Sequence, residues 1–115
     1  MSVNTVLTDS AENTKLFANK IAQDLKGGNI ILLWGDLGAG KTTFTQGLGQ
    51  YFGIHRMTSP TYVLLNQYIV ENHPTVKTFY HFDLYRLENV DQLRSVNFDE
   101  TTTDKNGLVV LEWPE

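Results

Sequence analysis

The sequence contains no cysteine, which excludes disulfide bonds and metal sites built from thiolates. Positive charge is also scarce, because 9 Lys and Arg face 13 Asp and Glu and the formal net charge is −4. This balance argues against a large surface for the phosphates of nucleic acids.

Long hydrophobic runs are missing as well. The longest uninterrupted one covers residues 30–34, far fewer than the roughly 20 residues that span a bilayer. Residues 1–5 have neither the basic segment nor the apolar run of a signal peptide. With 41% hydrophobic and 19% charged residues, the composition is that of an ordinary globular protein. We therefore expect a cytoplasmic protein in which residues 1–115 form a single domain.

Hydrophobic periodicity predicts two helices in the first half of the chain. The first extends over about residues 11–26, with an apolar stripe of Phe17, Ile21 and Leu25 that Ala18 and Ala22 widen. We expect Gly27 and Gly28 to end it. The second helix presents one apolar face and ends at Gly53; that face comprises Phe44, Leu48, Tyr51 and Phe52.

Five segments have the composition of strands. A short edge strand is predicted at residues 3–7, and residues 30–34 lack alternation, as in a strand buried on both faces of a parallel sheet. Residues 62–70 and 76–85 are predicted to form an antiparallel hairpin around a turn at 71–75. Residues 108–111 form a last buried strand, and a helical turn is expected at 90–96. Together these elements predict an α/β fold, a three-layer mixed sheet like that of P-loop nucleotide hydrolases.

A phosphate-binding motif joins the first buried strand to the second helix. Gly35, Gly40, Lys41 and Thr42 satisfy the pattern G-x-x-x-x-G-K-[ST]. Glycines let backbone N–H groups turn inward around a phosphate, and the following helix adds the positive end of its dipole. The lysine supplies a charge between the β- and γ-phosphates, and the threonine hydroxyl is placed to ligate Mg²⁺. The strand before the motif and the helix after it make a nucleoside triphosphate with Mg²⁺ the expected ligand.

Such a loop needs a second acid to hold the metal, commonly at the end of an apolar strand. Asp83 and Glu112 both satisfy this requirement. Parallel strands deliver their carboxyl ends to the ligand crevice, which favours Glu112, because we expect residues 108–111 to lie beside residues 30–34. A solvated carboxylate at the end of a strand is the alternative interpretation of either acid.

The residues alone indicate ATP rather than GTP, since Asp104-Lys105-Asn106-Gly107 does not match the base-reading motif of GTPases. A kinase for a small metabolite would need a lid and an acceptor pocket, for which little chain remains. That kinase and a nucleotide-sensing interaction module without catalysis are the two alternatives to an ATPase. We expect slow hydrolysis by the chain alone, because no arginine finger is evident near the loop.

Four stretches together resemble the bacterial TsaE (YjeE) family, and the resemblance runs from the first predicted helix to the last residue. The stretches are Gly35-Asp36-Leu37-Gly38-Ala39-Gly40-Lys41-Thr42-Thr43-Phe44, Ser59-Pro60-Thr61-Tyr62, His81-Phe82-Asp83-Leu84-Tyr85-Arg86-Leu87 and Leu111-Glu112-Trp113-Pro114-Glu115.

This resemblance implies an ATPase that serves threonylcarbamoylation of the adenosine next to the anticodon, in tRNAs reading codons that begin with A. It implies an accessory subunit that docks on the TsaD–TsaB complex and does not itself transfer the threonylcarbamoyl group, so that tRNA is contacted only indirectly. Family members usually continue beyond the Glu-Trp-Pro segment. A chain that stops at Glu115 is therefore expected to be either a fragment or a naturally short form.

The resemblance also implies roles for individual residues. Lys41, Asp83 and Glu112 are the implied catalytic residues, and Thr42, Glu112 and Asp83 the implied metal-associated ones. The implied nucleotide-binding residues are Ser10, Asp36, Leu37, Gly38, Ala39, Gly40, Lys41, Thr42, Thr43 and Thr61.

Several of these residues also have a purely structural interpretation. Thr61 matches a switch segment that senses the γ-phosphate, although it could equally belong to a turn before a strand. Ser10 could be only the N-cap of the first helix. His81 shares a strand face with Asp83 and could orient it, or it could be a packed strand histidine. Arg86 could stabilise charge, contact a partner or be solvated.

Overall fold

A computed structural model describes residues 11–35, 39–57, 65–83 and 98–114 of the chain. These residues form three helices and four strands. The helices are α1 (Ala11–Ala22), α2 (Ala39–Tyr51) and α3 (Phe98–Thr102), and the strands are β1 (Ile30–Gly35), β2 (Leu65–Ile69), β3 (Thr78–Asp83) and β4 (Gly107–Pro114).

The four strands make one mixed sheet in the order β1-β4-β3-β2. Strand β4 runs parallel to both of its neighbours, β1 and β3, whereas β2 is antiparallel to β3. The predicted hairpin and the predicted adjacency of the last strand to the first buried strand are both confirmed. Because the three parallel strands point the same way, their carboxyl ends share one edge of the sheet.

Helices cover both faces of the sheet, which confirms the predicted three-layer architecture. Helices α1 and α2 pack on one face, where the buried cluster comprises Ala18, Ala22, Leu48, Phe52, Ile54, Val70, Val76, Phe79, Leu108 and Val110. On the other face Phe98 of α3 packs on a smaller cluster of Leu65, Phe82 and Val109. Alternate residues of β3 and β4 therefore enter different cores, as the two-residue repeat of a strand requires.

Helix α1 ends at Ala22, not at Lys26 as predicted. The backbone N–H groups of Asp24 and Leu25 bond to carbonyls only three residues earlier, which tightens the chain into a turn. The buried row of the helix also differs from the predicted stripe. Ala18 and Ala22 are fully buried and Thr14 is 7% exposed, whereas the larger Phe17 is only half-buried.

Helix α2 follows the prediction closely. Leu48 and Phe52 are buried on the predicted face, but Tyr51 is 41% exposed and lies off it. The helix is followed by Gly53 in the left-handed region, with φ of 85°, so the predicted glycine stop is confirmed.

Strand β1 is not buried on both faces as predicted. Ile30 is 38% and Leu32 is 42% exposed, while Ile31 and Leu33 pack against the α1/α2 core. Ile30 and Leu32 pair in register with Val109 and Leu111 of β4 and so point to the face that carries α3. Among the described residues, α3 packs on that face against β4 and against Phe82 of β3, and the same face of β1 is partly exposed.

Some predicted elements lie outside the described residues, namely the strand at 3–7, the helical turn at 90–96 and the outer parts of the predicted hairpin. Conversely, the short α3 was not predicted. No helix within residues 11–35, 39–57, 65–83 and 98–114 is long and apolar enough to cross a membrane.

Candidate functional site

The edge of the sheet at which β1, β3 and β4 end carries the predicted nucleotide site. Strand β1 ends at Gly35 and α2 begins at Ala39, so the strand-to-helix context of the phosphate motif is present. Residues 36–38 of the loop lie outside the described residues. The sequence favours a junction here because an apolar run is followed by several glycines, which have low propensity for the interior of a strand or a helix.

The amino end of α2 falls within the motif. Ala39, Gly40, Lys41 and Thr42 form its first turn in the backbone, and their side chains lie outside what the structure describes. The first four N–H groups of a helix lack intrahelical partners, and the helix dipole adds partial positive charge there. That turn contains no acidic residue that would oppose an anion. Thr43 follows as a half-buried residue.

Two carboxylates stand side by side at the same edge. Asp83 ends β3 and pairs in register with Glu112 of β4, which in turn pairs with Leu33 of β1. Paired residues of parallel strands point to the same face. Since Leu33 packs in the α1/α2 core, both acids lie on the face that carries α2. The structure thus brings together the two acids that the sequence offered as alternatives.

Glu112 is 6% exposed and His81 of β3 is 5% exposed. Their side chains meet, with His81 Nε2 and Glu112 Oε2 separated by 2.5 Å. Burying a charged carboxylate is costly unless it is paired and hydrogen-bonded, and the imidazole supplies that pairing. The sequence placed His81 beside Asp83 along one strand; the hydrogen bond instead crosses to the neighbouring strand. Only the register of β3 against β4 could have revealed it.

The other imidazole nitrogen, His81 Nδ1, is buried and has no hydrogen-bond partner among the described residues. Buried polar atoms are nearly always satisfied, and an exception calls for an explanation. Asp83, by contrast, does have an interaction partner.

The donor set suits Mg²⁺. This ion prefers oxygen ligands and is usually held by one or two carboxylates together with phosphates and waters. Glu112 and Asp83 provide carboxylates at the same strand-end edge. No cluster of three or more His, Cys, Asp and Glu that could hold a metal exists within the described part of the chain.

Several predicted site residues cannot be placed. Ser10, Asp36, Leu37, Gly38 and Thr61 lie outside the described residues. Their assigned roles stay predictions, and so do those of the Lys41 and Thr42 side chains and of Arg86.

Comparisons with known proteins agree with the resemblance. A family model described as "Threonylcarbamoyl adenosine biosynthesis protein TsaE" matches residues 8–115. The "tRNA threonylcarbamoyladenosine biosynthesis protein TsaE" of Rickettsia conorii is 40% identical over 109 residues, which are 93% of this chain and 59% of that protein. The protein of the same name from Bacillus subtilis is 38% identical over 107 residues, covering 92% of this chain and 63% of that protein.

A solved structure matches as well. The crystal structure of YdiB from Bacillus subtilis superimposes with a TM-score of 0.66 and 34% sequence identity, covering 92% of this chain and 61% of that chain. The chain therefore spans about three fifths of the length of these relatives. The resemblance predicted from the sequence motifs is confirmed.

Proposed function

This chain belongs to the TsaE family, and on that premise we propose that it is an ATP-binding and ATP-hydrolysing accessory subunit. It serves the threonylcarbamoyl modification of the adenosine next to the anticodon, in tRNAs that read codons beginning with A. It acts in the cytoplasm with the TsaD–TsaB complex and does not itself transfer the threonylcarbamoyl group.

One observation carries the proposal. The parallel register of β1, β4 and β3 aligns Leu33, Glu112 and Asp83 at one edge of the sheet, two residues before β1 enters the glycine-rich motif. A nucleotide-binding loop and two carboxylates at one sheet edge are the parts that phosphoryl transfer requires. A strand-end carboxylate that served only solubility would be solvated, whereas Glu112 is 6% exposed.

The roles that the resemblance implies for individual residues agree with the chemistry of their side chains. The amides of the loop and the Lys41 ammonium group hold the phosphates, and the Thr42 hydroxyl and Glu112 hold Mg²⁺. Asp83 lies beside Glu112 and orients the attacking water. An ion held by these residues would supply positive charge that offsets the negative charge developing during phosphoryl transfer. Thr61 senses the γ-phosphate, and Ser10 lies close to the nucleotide.

The charge of the chain supports an accessory role. With a net charge of −4, it is poorly suited to hold tRNA by its phosphates, which bind proteins mainly through Lys and Arg. The partners therefore hold the tRNA. Hydrolysis by the chain alone is slow, because stabilising the transition state of phosphoryl transfer commonly requires an arginine.

The test is reconstitution of tRNA modification from purified components, with and without this chain. Wild type is expected to sustain repeated turnover, and Lys41→Ala and Glu112→Ala are expected to lose it while remaining folded. Glu71→Ala is a matched control, since Glu71 is exposed and precedes β3, away from the edge where β3 ends. Full modification with Lys41→Ala would contradict the proposal. Transfer of labelled γ-phosphate to a small molecule would instead indicate a kinase.

A further inference from the structure

The imidazole of His81 forms a hydrogen bond with the carboxylate of Glu112. Both are buried, and the Nε2 to Oε2 distance is 2.5 Å. An ionised carboxylate can only accept hydrogen bonds, so Nε2 carries the proton and donates it. In that tautomer Nδ1 is an acceptor, and it is buried without a hydrogen-bond partner within the described residues.

If the side chain at position 81 served only to pack the core, an apolar residue would be more favourable than histidine. The neighbouring core positions of β3, Phe79 and Phe82, are fully buried phenylalanines, and a third one would avoid burying Nδ1 without a partner. A buried polar atom that has no hydrogen-bond partner destabilises the folded state. The presence of an imidazole at this buried position therefore points to a role for its Nε2–H group.

We propose that His81 is a positioning residue, whose Nε2–H group holds one oxygen of Glu112 so that the other is presented to the metal–nucleotide complex. The inference rests on the proposed function and deepens it. A glutamate side chain has several rotatable bonds, and a hydrogen bond from a rigid, buried ring selects one arrangement before the ligand binds. Carboxylates that ligate metals are commonly held in this way, and loss of the partner typically lowers metal affinity roughly 10- to 100-fold.

Two amide substitutions separate positioning from packing. In His81→Gln the amide nitrogen lies near the place of Nε2 and can still donate to Glu112. In His81→Asn the amide nitrogen lies near the place of Nδ1 and falls short. Both variants are neutral and polar, so they serve as controls for each other.

The measurements are ATP affinity by calorimetry in EDTA, and Mn²⁺ affinity of the protein–ATP mixture by electron paramagnetic resonance. All three proteins are expected to bind metal-free ATP within about twofold of one another. His81→Asn is expected to weaken Mn²⁺ binding by roughly tenfold or more, and His81→Gln to restore it to within about threefold of wild type.

Three results would overturn the inference. His81→Asn could weaken metal-free ATP binding as much as Mn²⁺ binding, or folded His81→Gln could behave no better than His81→Asn, or His81→Asn could leave Mn²⁺ binding unchanged. If wild type bound no ATP at all, the proposed function itself would fail, and the inference with it.

A measurement on the wild-type protein covers the case in which the variants do not fold. Long-range ¹H–¹⁵N NMR of the imidazole identifies the protonated nitrogen. A proton on Nε2 that stays protected from exchange is expected, and a proton found only on Nδ1 would overturn the inference.

Discussion

At the scale of single residues, the buried contact between Glu112 and His81 bears both on stability and on the proposed function. In the proposed function the Glu112 carboxylate acts through its negative charge, yet the residue is only 6% exposed, and burial disfavours the charged form. The hydrogen bond from His81 offsets part of that cost. Different substitutions of Glu112 should therefore separate its structural and functional contributions.

Replacing Glu112 with alanine leaves the Nε2–H group of His81 buried without an acceptor, which should cost about 1–3 kcal/mol of unfolding free energy. Glu112→Gln keeps an acceptor oxygen and should cost less than about 1 kcal/mol, while still losing Mg²⁺-dependent ATP hydrolysis. Urea unfolding and phosphate release measure the two effects. Equal destabilisation by both substitutions would argue against a stabilising hydrogen bond.

Tyr80 gives a second residue-scale prediction, which concerns pH. Its hydroxyl donates to Asp104 Oδ2 at 2.7 Å. Burial first, and then the hydrogen bond to Asp104 and its negative charge, raise the pKa of Tyr80 above its usual value of 10.0. The folded state thus holds the phenol proton more tightly than the unfolded state does.

This stabilisation is fully present below pH 10.0 and is lost as the pH rises through the raised pKa. Wild type should therefore lose stability above pH 10 more steeply than Tyr80→Phe, which has no phenol proton to lose. Denaturant unfolding between pH 8 and 11 measures the difference. If the unfolding free energies of the two proteins changed in parallel with pH, this prediction would be contradicted.

The chemistry of the site was more predictable from the sequence than its contacts were. Gly40 and Lys41 belong to a contiguous motif, and Asp83 and Glu112 each end a recognisable apolar strand, so local patterns sufficed to select them. The partner of His81 was not predictable, because the bond joins two strands whose relative register is set by packing and not by local sequence.

At the scale of elements, Gly47 of α2 explains how closely α1 and α2 approach each other, whereas Gly49 has a different neighbour. A Cβ at Gly47 would lie 2.9 Å from Ala18 Cβ and 3.1 Å from the Lys15 Cα of α1. At Gly49 the same atom would instead meet the end of the Met57 side chain. The close contacts of these two glycines are therefore with α1 and with Met57.

Gly47→Ala and Gly49→Ala should therefore change the stability of the protein in opposite directions. Alanine gains roughly 1 kcal/mol of helix propensity over glycine at either position. At Gly47 the clash with the packed α1 should outweigh this gain and destabilise the protein by about 1–3 kcal/mol, whereas flexible Met57 can move away from alanine at position 49. Thermal unfolding by circular dichroism measures both, each variant being the control of the other. An equal gain in stability would contradict the close helix crossing.

Element types were predictable where the hydrophobic pattern was long, as in β1 and α2. The end of α1 was misplaced because the residues after Ala22 remain amphipathic while their backbone tightens into a turn. Helix α3 has only five residues, fewer than two turns, which is too short for helical periodicity to show. The exposure of Ile30 and Leu32 was not predicted, because the burial of a strand residue depends on which elements cover that face of the sheet.

At the scale of the whole molecule, nucleotide binding should appear as added stability. A ligand that binds only the folded state stabilises it by about 2.7 kcal/mol at a concentration 100 times its Kd. For a domain of this size that corresponds to a rise in Tm on the order of 10 °C. Scanning fluorimetry should show the rise with ATP and Mg²⁺, a smaller one in EDTA, and little change in Lys41→Ala. No shift in wild type at saturating ATP would count against the proposed nucleotide site.

The sheet order has a consequence for how the protein is made. Strand β4 is the only described neighbour of β1, yet the two lie near opposite ends of the described sequence. On a translating ribosome the glycine-rich loop therefore emerges long before the strand that must support it. We expect a nascent chain to acquire ATP-binding competence only after residues 107–114 have left the exit tunnel, so that ATP binding would report that β4 has been synthesised and paired with β1.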